Sequence, residues 1–481
     1  MEIKFGTSGW RDIIGDNFTF DNVKLVSQAI SNYLKSTIKN EIKIIVGYDT
    51  RFLSEDFSKT SASVFAGNGI KCLYCKNPTP TPVISYEIIS RKLSGGINIT
   101  ASHNPSEYNG LKFSPAWGGP ALPETTKAIE QEIKLLKQSN IHETIKETDF
   151  ESAVRQKMIE IIDPEKKYSN CLKQFINFNA IKNAKLKIGV DLMYGTARGY
   201  LDSILKNICK EIVVIHNYRD VLFGGKRPEP DKEGLGELQN IIKKQKLQLG
   251  LSCDGDADRF GILDSDGTYI TPNQVISVLL YHLIKTRNWK GIVVRSVMTT
   301  HLIDAIADKF KIEVKETPVG FKYIGDIMVS SDTKDKFIIG GEESGGLSIR
   351  KHVPEKDGIL ACLLIAEMVS INKKTIKEIL LEIEKLIGRK FITKRINYKL
   401  TPELVQTLKD KLKTNLPEKI CDINVKNVNT IDGYKFILED SSWVGIRFSG
   451  TEPVIRLYLE TNSQTKLLQL KNYCETYFNI K

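Results

Sequence analysis

The stretch LKIGVDLMYGTARGYLDSIL, residues 186–205, joins a short apolar run to a helical run through a loop that contains glycine. The apolar run has the length of a buried strand, and the second run has the apolar spacing typical of a helix. The same order occurs earlier, at residues 42–69, and later, at residues 291–310. Strands that alternate with helices favour βαβ units, so we expect α/β domains with mostly parallel sheets.

The last part of the chain has a different pattern. Short runs of alternating apolar residues occupy residues 391–400, 432–440, 442–450 and 454–461, and they surround a polar helical run at residues 401–413. This pattern predicts an antiparallel α+β domain at the end of the chain. A length of 481 residues suggests about three domains in all.

The charge of the chain favours small anionic partners. The formal net charge is +11, and a basic protein suits an acidic partner. The lysines are spread along the whole chain, and no dense basic block carries interleaved aromatic residues. We therefore expect small phosphates rather than nucleic acid as the partner.

Cysteine usage and hydropathy predict a cytoplasmic protein. The eight cysteines are scattered, and Cys72 and Cys75 lack the second pair that a metal site would need, so we expect buried thiols in a reducing cytosol. The first residues, MEIKFGTSGW, lack the apolar core of a signal peptide. The longest apolar run, residues 358–371, is interrupted by Glu367 and is too short to span a membrane.

Ser102 and His103 lie side by side in ITASHNPSEYNGLKF, residues 99–113. A hydrolase serine needs a histidine within hydrogen-bond reach. Neighbouring residues of an extended loop point in opposite directions, so we expect His103 to be poorly placed to activate Ser102. The G-x-S-x-G elbow is also absent. The residues alone leave open a reactive serine of another kind or a polar turn after a strand.

Three aspartates alternate in DGDADR, residues 254–259, and form a candidate metal site. Alternate residues can point to one side of a loop, where three carboxylates repel one another unless a cation lies between them. Carboxylate oxygens suit Mg2+ or Ca2+, and Arg259 would suit a phosphate bound to that metal. The EF-hand pattern fails because Arg259 stands where that loop needs glycine. The alternative is a solvated acidic turn.

Two further loops could bind ligands, one a phosphate and the other a polyol. RFSGTEP, residues 447–453, supplies the arginine, hydroxyls and backbone N–H groups of a phosphate nest. GGEESGG, residues 340–346, places Glu342 and Ser344 where they could hydrogen-bond to a polyol. The alternatives are a surface loop and a glycine-rich hairpin. Arg11 in TSGWR and Lys356 in HVPEKDG are isolated basic residues. Such residues are usually solvated.

The motifs TASHNP, DGDADR, GEESGG and RFSGTEP, in this order, resemble those of the α-D-phosphohexomutases, the phosphoglucomutase/phosphomannomutase family. The resemblance extends over essentially the whole chain, from GTSGWR to RLYLE. It implies an α/β fold of three α/β domains with mixed sheets plus a C-terminal α+β domain around a central cleft. The expected domains are residues 1–150 with a phosphoserine loop, 160–265 with a metal loop, 266–380 with a sugar-binding loop and 388–481 with a phosphate-binding loop.

The resemblance also implies the chemistry. Ser102 would be a phosphoserine that donates a phosphoryl group, and its phosphate would hold Mg2+ together with three carboxylates, those of Asp254, Asp256 and Asp258. Phosphoryl transfer depends on positioning and charge neutralisation more than on covalent activation. The implied catalytic residues are Ser102, Lys356 as the acid/base, Lys112 and His103 as alternatives or helpers, Arg259 on the transferring group, and Arg11.

The same resemblance implies the substrate contacts. The implied sugar contacts are Gly320, Glu342 and Ser344, and the implied contacts to the other phosphate are Arg447, Ser449, Gly450 and Thr451, helped by Arg456. The implied reaction interconverts glucose 1-phosphate and glucose 6-phosphate through glucose 1,6-bisphosphate, so hexose phosphates are the expected partners. GEES favours the phosphoglucomutase type, because dual-specificity phosphomannomutases and phosphoglucosamine mutases tend to carry Met or Gln at the position of Glu343.

Two alternative activities remain at this point. A phosphomannomutase or dual-specificity mutase is the first, because contacts to O3 and O4 of the sugar cannot sense the C2 epimer. A metal-dependent sugar phosphatase is the second, but it would not need the phosphate-binding loop at residues 447–453. The second phosphate loop therefore favours a mutase.

Overall fold

The computed structural model of the chain describes residues 3–6, 8–138, 144–448 and 454–480. The described strands form four sheets, and each sheet belongs to a separate unit of the chain. The resemblance therefore predicts the architecture correctly, whereas the three domains suggested by chain length are one too few.

The first unit is a six-stranded sheet in the order β1-β5-β4-β2-β3-β6. Its elements are β1 (Trp10–Ile13), α1 (Phe20–Thr37), β2 (Lys43–Tyr48), α2 (Ser54–Gly67), β3 (Lys71–Cys75), α3 (Thr81–Arg91), β4 (Gly95–Ile99), β5 (Tyr108–Pro115), α4 (Pro123–Gln138), α5 (Phe150–Arg155) and β6 (Ile159–Ile162). Strands β4, β2, β3 and β6 are parallel, and β1 and β5 are antiparallel to their neighbours. Strand β6 belongs to this sheet although it lies outside residues 1–150, the span that the sequence analysis assigns to the first domain.

The second unit is a five-stranded sheet in the order β11-β10-β9-β7-β8. Its elements are α6 (Glu165–Leu172), α7 (Phe178–Ala184), β7 (Lys187–Asp191), α8 (Leu201–Ile208), β8 (Glu211–Ile215), a 3-10 turn (Phe223–Gly225), α9 (Gly236–Gln245), β9 (Leu249–Cys253), β10 (Phe260–Asp264) and β11 (Tyr269–Ile270). The stretch at residues 186–205 forms β7, a loop and α8, as its pattern predicts.

The third unit is a four-stranded sheet in the order β13-β12-β14-β15. Its elements are α10 (Pro272–Arg287), β12 (Ile292–Ser296), α11 (Leu302–Lys309), β13 (Glu313–Thr317), α12 (Phe321–Val329), β14 (Phe337–Glu342), β15 (Gly346–Ile349), α13 (Gly358–Asn372) and α14 (Ile376–Ile387). Helix α10 begins with a capping box, in which Thr271 and Gln274 satisfy each other's backbone N–H groups.

The fourth unit is antiparallel throughout, with the order β16-β21-β20-β19-β18-β17. Its elements are β16 (Ile392–Lys399), α15 (Pro402–Thr414), β17 (Lys419–Ile420), β18 (Ile423–Asn429), β19 (Tyr434–Leu438), β20 (Trp443–Phe448), β21 (Val454–Thr461) and α16 (Gln464–Tyr477). This is the α+β domain that the alternating pattern predicts.

The first three sheets are mixed, which corrects the expectation of mostly parallel sheets. In each of them, parallel strands are joined to an antiparallel hairpin: β4–β5, β9–β10 and β14–β15. The loops of these three hairpins are the TASHNP, DGDADR and GEESGG segments. Alternating strands and helices indicate only the parallel part of a sheet, so the residue pattern alone did not predict the antiparallel pairs, whereas the mixed sheets implied by the resemblance are confirmed.

The cores of the units differ in how far they extend. The first and fourth units each have an apolar core of their own, whereas one continuous core joins the second and third units. Helix α13 passes through that shared core, and every residue from Gly358 to Ser370 is buried. Burial on all sides explains why its sequence is apolar without a polar face. No described helix is long and apolar enough to cross a bilayer. All eight cysteines are free, and Cys72 and Cys75 are buried.

Candidate active site

The loop after β4 places Ser102 against the second unit. The Oγ of Ser102 donates a hydrogen bond to Asp254 Oδ2 at 2.7 Å, and Ser102 is buried, with 1% of its surface exposed. His103 Nδ1 lies 3.3 Å from the same Oγ. The expectation that His103 points away is therefore wrong, because Ser102 has φ 55° and the loop is not extended there. Burial, with Arg259 and Arg11 nearby, lowers the pKa of His103 well below its usual value, so the ring is neutral.

One buried arginine holds the serine loop, and the sequence analysis missed it. The guanidinium of Arg51 donates to four backbone carbonyls at 2.6–3.0 Å, those of Ser102, Asn104, Pro105 and Tyr108. Its Nε lies 3.1 Å from Asp49 Oδ2. A usable signal existed, since Asp49 and Arg51 follow β2, and residues after parallel strands collect at one edge of a sheet.

The aspartate loop forms a site that fits a divalent cation. Asp254, Asp256 and Asp258 are buried, and one carboxylate oxygen of each lies within 4.8 Å of the others. Burial and mutual repulsion raise the pKa of Asp254 well above its usual value. Among the described residues, Asp256 Oδ1 and Asp258 Oδ1 have no hydrogen-bond partner. Buried carboxylate oxygens without partners are costly, and a hard cation would satisfy them.

Two lysines from other parts of the chain reach these carboxylates. Lys112 Nζ on β5 lies 2.5 Å from Asp256 Oδ2 and 2.7 Å from Asp258 Oδ2. Lys356 Nζ lies 2.8 Å from Asp258 Oδ2 and 3.3 Å from Glu355 Oε1, and only 7% of Lys356 is exposed. Burial lowers the pKa of Lys356, but the two carboxylates more than offset this and raise it. Lys356 is thus not the solvated lysine that its isolated position in the sequence suggested.

The aspartate loop also has support from the first unit. Thr81, at the start of α3, donates through Oγ1 to Asp256 Oδ2 at 2.5 Å and through its N–H to the carbonyl of Asp256 at 2.9 Å. Asn98 Nδ2 in turn donates to Thr81 Oγ1 at 3.0 Å. Neither Thr81 nor Asn98 belongs to a motif, and their contacts could be found only from the folded structure.

The segment that carries Lys356 is fixed from behind. Asp357 Oδ1 accepts the N–H of Leu360 at 2.8 Å and caps α13. Asp357 Oδ2 lies 2.6 Å from His352 Nε2 and accepts the hydroxyl of Tyr168, which belongs to α6 of the second unit. All these side chains are buried. The backbone of Lys356 is therefore held by contacts from two units.

The proposed sugar-binding residues meet at the end of β14. Glu342 is 4% exposed, and its Oε1 accepts the N–H of Gly320 at 2.7 Å. Burial, with the charge of Glu343 beside it, raises the pKa of Glu342 to about 7. Ser344 is half-buried in the same loop. Glu343 points elsewhere, with its carboxylate 2.7 Å from Ser296 Oγ and 3.4 Å from the hydroxyl of Tyr458 in the fourth unit.

The remaining basic residues lie around this centre. Arg447 on β20 and Arg456 on β21 are directly opposite each other in the sheet, and Arg447 Nε donates to Asp432 Oδ2 at 2.9 Å. Arg456 Nε is buried without a partner among the described residues. Arg11 donates to Asn104 Oδ1 at 2.9 Å.

The backbone N–H of Arg259 donates to Asp254 Oδ1 at 3.0 Å, and its guanidinium lies 3.4 Å from Glu229. Ser449, Gly450 and Thr451 lie outside the described residues.

Comparisons with known proteins agree with this arrangement. Models of the phosphoglucomutase/phosphomannomutase alpha/beta/alpha domains I, II and III match residues 2–140, 166–267 and 271–386, and the model of the C-terminal domain matches residues 399–474. These four matches follow the order of the four sheets.

Individual relatives cover nearly the full chain. A protein of Methanosphaera stadtmanae assigned as a phosphoglucosamine mutase is 29% identical over 99% of this chain and 98% of its own. A phosphoglucomutase/phosphomannomutase of Thermococcus kodakarensis is 28% identical over 96% of this chain and 95% of its own. A solved structure from Thermus thermophilus, assigned as a phosphomannomutase, is 30% identical with a TM-score of 0.85 and covers 100% of this chain and 99% of that one.

Proposed function

The chain belongs to the phosphoglucomutase/phosphomannomutase family, and on that premise we propose that it interconverts glucose 1-phosphate and glucose 6-phosphate. The proposed reaction uses a phosphoserine at Ser102 and glucose 1,6-bisphosphate as the intermediate. The observation that carries the proposal is the buried contact of Ser102 Oγ with Asp254, beside two further carboxylates and two lysines. Such a centre suits a serine that carries phosphate better than one that attacks an acyl group.

Each residue of the centre has a proposed task. Asp254, Asp256 and Asp258 would hold Mg2+, whose charge would stabilise the transferring phosphoryl group when it is bound. Arg51 and its carbonyl contacts keep Ser102 Oγ directed at Asp254. Lys356 Nζ would take the proton of the attacking sugar hydroxyl and return it in the reverse direction, once a cation on Asp258 has offset the negative charge that raises the pKa of this lysine. His103 Nδ1 and Lys112 Nζ are the alternatives for that proton transfer.

Both half-reactions would use one set of substrate contacts. Glu342, Ser344 and Gly320 would hold the sugar hydroxyls, and Arg447 and Arg456 would hold the phosphate that is not being transferred. After the first transfer the bisphosphate turns over, and its second phosphate faces Ser102. The serine then takes back one phosphate, so the enzyme ends each cycle phosphorylated.

Activity toward mannose phosphates is the second candidate. Glu342 and Gly320 lie in two neighbouring loops, and the sugar oxygens that they are proposed to bind, O3 and O4, do not distinguish glucose from mannose. The relative from Thermococcus kodakarensis carries both names. We therefore propose glucose phosphates as preferred substrates and mannose phosphates as slower ones.

A product assay tests the proposal. The enzyme is supplied with Mg2+, a trace of glucose 1,6-bisphosphate, and glucose 1-phosphate or mannose 1-phosphate in parallel. We expect the 6-phosphates as products, with glucose faster and little inorganic phosphate released. Inorganic phosphate as the main product would instead indicate a phosphatase, and faster turnover of mannose 1-phosphate would indicate a phosphomannomutase.

A mass measurement tests the phosphoserine. We expect a fraction of the purified chains to carry one phosphate, which should be absent from Ser102→Ala and present in Ser106→Ala, a change in the same loop. Asp256→Asn should lower kcat sharply because it weakens the clamp on the transferring group. A fully active Ser102→Ala variant, with phosphate on another residue, would contradict the mechanism.

A further inference from the structure

One carboxylate of the fourth unit contacts both proposed substrate-binding elements. Asp432 lies in the turn between β18 and β19, and its Oδ2 accepts hydrogen bonds from Arg447 Nε at 2.9 Å and from the N–H of Val319 at 3.0 Å. Val319 belongs to the loop Thr317–Gly320 of the third unit. A single oxygen therefore joins the proposed phosphate site on one unit to the proposed sugar site on another.

The path continues to the sugar-binding glutamate. The residue after Val319 is Gly320, which has φ +132° and donates its N–H to Glu342 Oε1 at 2.7 Å. Glycine is needed at this φ, so the loop has a defined backbone course. A continuous series of contacts thus runs from Arg447 through Asp432 and the loop backbone to Glu342.

The contact also fixes the orientation of Arg447. The side chains of Arg447 and Asp432 are 15% and 26% exposed, so the ion pair is partly shielded from solvent. Within the part of the chain that the structure describes, Arg447 makes its side-chain hydrogen bond through Nε. The two terminal amino groups are thereby left for a phosphate, which guanidinium groups bind in a two-point fork.

We propose that Asp432 is a positioning residue, which sets the spacing between Arg447 and the sugar-binding loop. This inference rests on the proposed function, in which Arg447 binds phosphate and Glu342 binds the sugar. A hexose phosphate has a fixed distance between its phosphate and its hydroxyls. Sites on two units can bind it together only when the spacing of those sites is held, and both half-reactions need the same spacing.

Removal of the carboxylate should show this role in the kinetics. Asp432→Ala should raise KM for glucose 1-phosphate and for glucose 6-phosphate alike, by about 10- to 100-fold for a lost charged hydrogen bond, with a smaller change in kcat. More bisphosphate should escape, so turnover should depend on added glucose 1,6-bisphosphate. Asp432→Asn keeps an acceptor oxygen without the charge, and its KM should lie between that of the unchanged enzyme and that of Asp432→Ala. The matched control is Glu439→Ala, an exposed carboxylate of the same unit, which should keep the KM of the unchanged enzyme.

A reaction that bypasses Arg447 separates this inference from the proposed function. Hydrolysis of the phosphorylated Ser102 by water uses the serine and metal sites only, so its rate should be the same in Asp432→Ala as in the unchanged enzyme. An unchanged enzyme without mutase activity would refute the proposed function.

An active enzyme whose Asp432→Ala variant keeps its KM and its independence of added bisphosphate would overturn the positioning role. A fall in kcat at constant KM would overturn it as well. If Asp432→Ala does not fold, the same two measurements on Asp432→Asn decide the question.

Discussion

Single charged residues decide the properties of this site, because each is buried beside groups that change its protonation. Asp258 accepts hydrogen bonds from Lys112 and Lys356, and although burial opposes ionisation these cations lower the pKa of Asp258 well below its usual value. Glu342 has no such ammonium contact among the described residues, and burial raises its pKa to about 7. Carboxylates in one site therefore differ in charge at neutral pH.

The raised pKa of Glu342 predicts a pH-dependent stability difference. In the folded protein Glu342 keeps its proton up to pH about 7, whereas in the unfolded chain it loses the proton near 4.5. The stability that the protonated Glu342 contributes to the folded protein is thus fully present below pH 4.5 and is lost as the pH rises to 7. Glu342→Gln mimics the protonated form, so it should gain stability relative to the unchanged protein between about pH 5.5 and 8, by on the order of 1–3 kcal/mol.

Thermal unfolding of both proteins across this pH range measures the effect. The difference in Tm, variant minus unchanged protein, should increase with pH. Glu439→Gln, which removes an exposed carboxylate, controls for the general effect of one charge. A difference in Tm that stays constant across the range would show that Glu342 ionises normally.

At the scale of elements, helix α13 links the shared core to the proposed catalytic centre. Its cap, Asp357, follows Lys356 directly and accepts hydrogen bonds from Leu360, His352 and Tyr168. Within the helix, the buried Glu367 pairs with His282 and Arg287. The polar groups of this apolar helix are therefore satisfied at its start and along its length.

Loss of one cap contact should affect catalysis more than binding. Tyr168→Phe removes the hydroxyl through which Tyr168 on α6 donates a hydrogen bond to Asp357. Loss of a hydrogen bond to a charged group should lower the free energy of unfolding by about 1.5–3 kcal/mol. The backbone of Lys356 then loses one support, so kcat should fall while KM stays nearly constant. Steady-state kinetics and thermal unfolding are compared with Tyr86→Phe, whose ring packs against Tyr168. Equal effects of the two variants on kcat would contradict a positioning role for the Tyr168 hydroxyl.

The sequence predicts elements and motif residues better than it predicts contacts. Alternating patterns locate the strands, because a strand can be recognised from the apolar and polar alternation of its own residues alone. The partners Tyr168 and Asp357 are 189 residues apart, and Thr81 and Asp256 are 175 apart, so nothing local indicates either pair. The orientation of His103 was predicted incorrectly because it depends on the positive φ of Ser102. A serine in a polar loop gives no sequence signal for such a backbone conformation.

At the scale of the molecule, the second and third units share one apolar core, so we expect them to unfold as one body. The apolar cluster includes Leu251 on β9, Ile339 on β14 and Leu363 on α13. The first and fourth units have cores of their own. Cooperative unfolding follows continuous cores rather than sheet boundaries.

Hydrogen exchange with mass spectrometry tests this cooperativity. Leu363→Ala, in the third unit, should destabilise by about 2–5 kcal/mol and should speed exchange in β7 and β9 of the second unit as much as in β14. Exchange in β2 and β20 should change much less. Leu457→Ala, in the core of the fourth unit, should instead speed exchange in β20 and should change it much less in β7, β9 and β14. Faster exchange in the third unit alone would mean that the two units open independently.

The proposed catalytic serine and its main contact are far apart in the chain, and this has a consequence for a protein made from its N-terminus onward. Ser102 and Asp254 are 152 residues apart, and Lys356 follows Asp258 by 98 more. At a synthesis rate of about 5–20 residues per second, roughly 8–30 s pass between the synthesis of Ser102 and that of Asp254. During that time the nascent chain holds a serine with no aspartate loop opposite it, so the proposed phosphorylation of Ser102 and turnover of sugar phosphates require the later units.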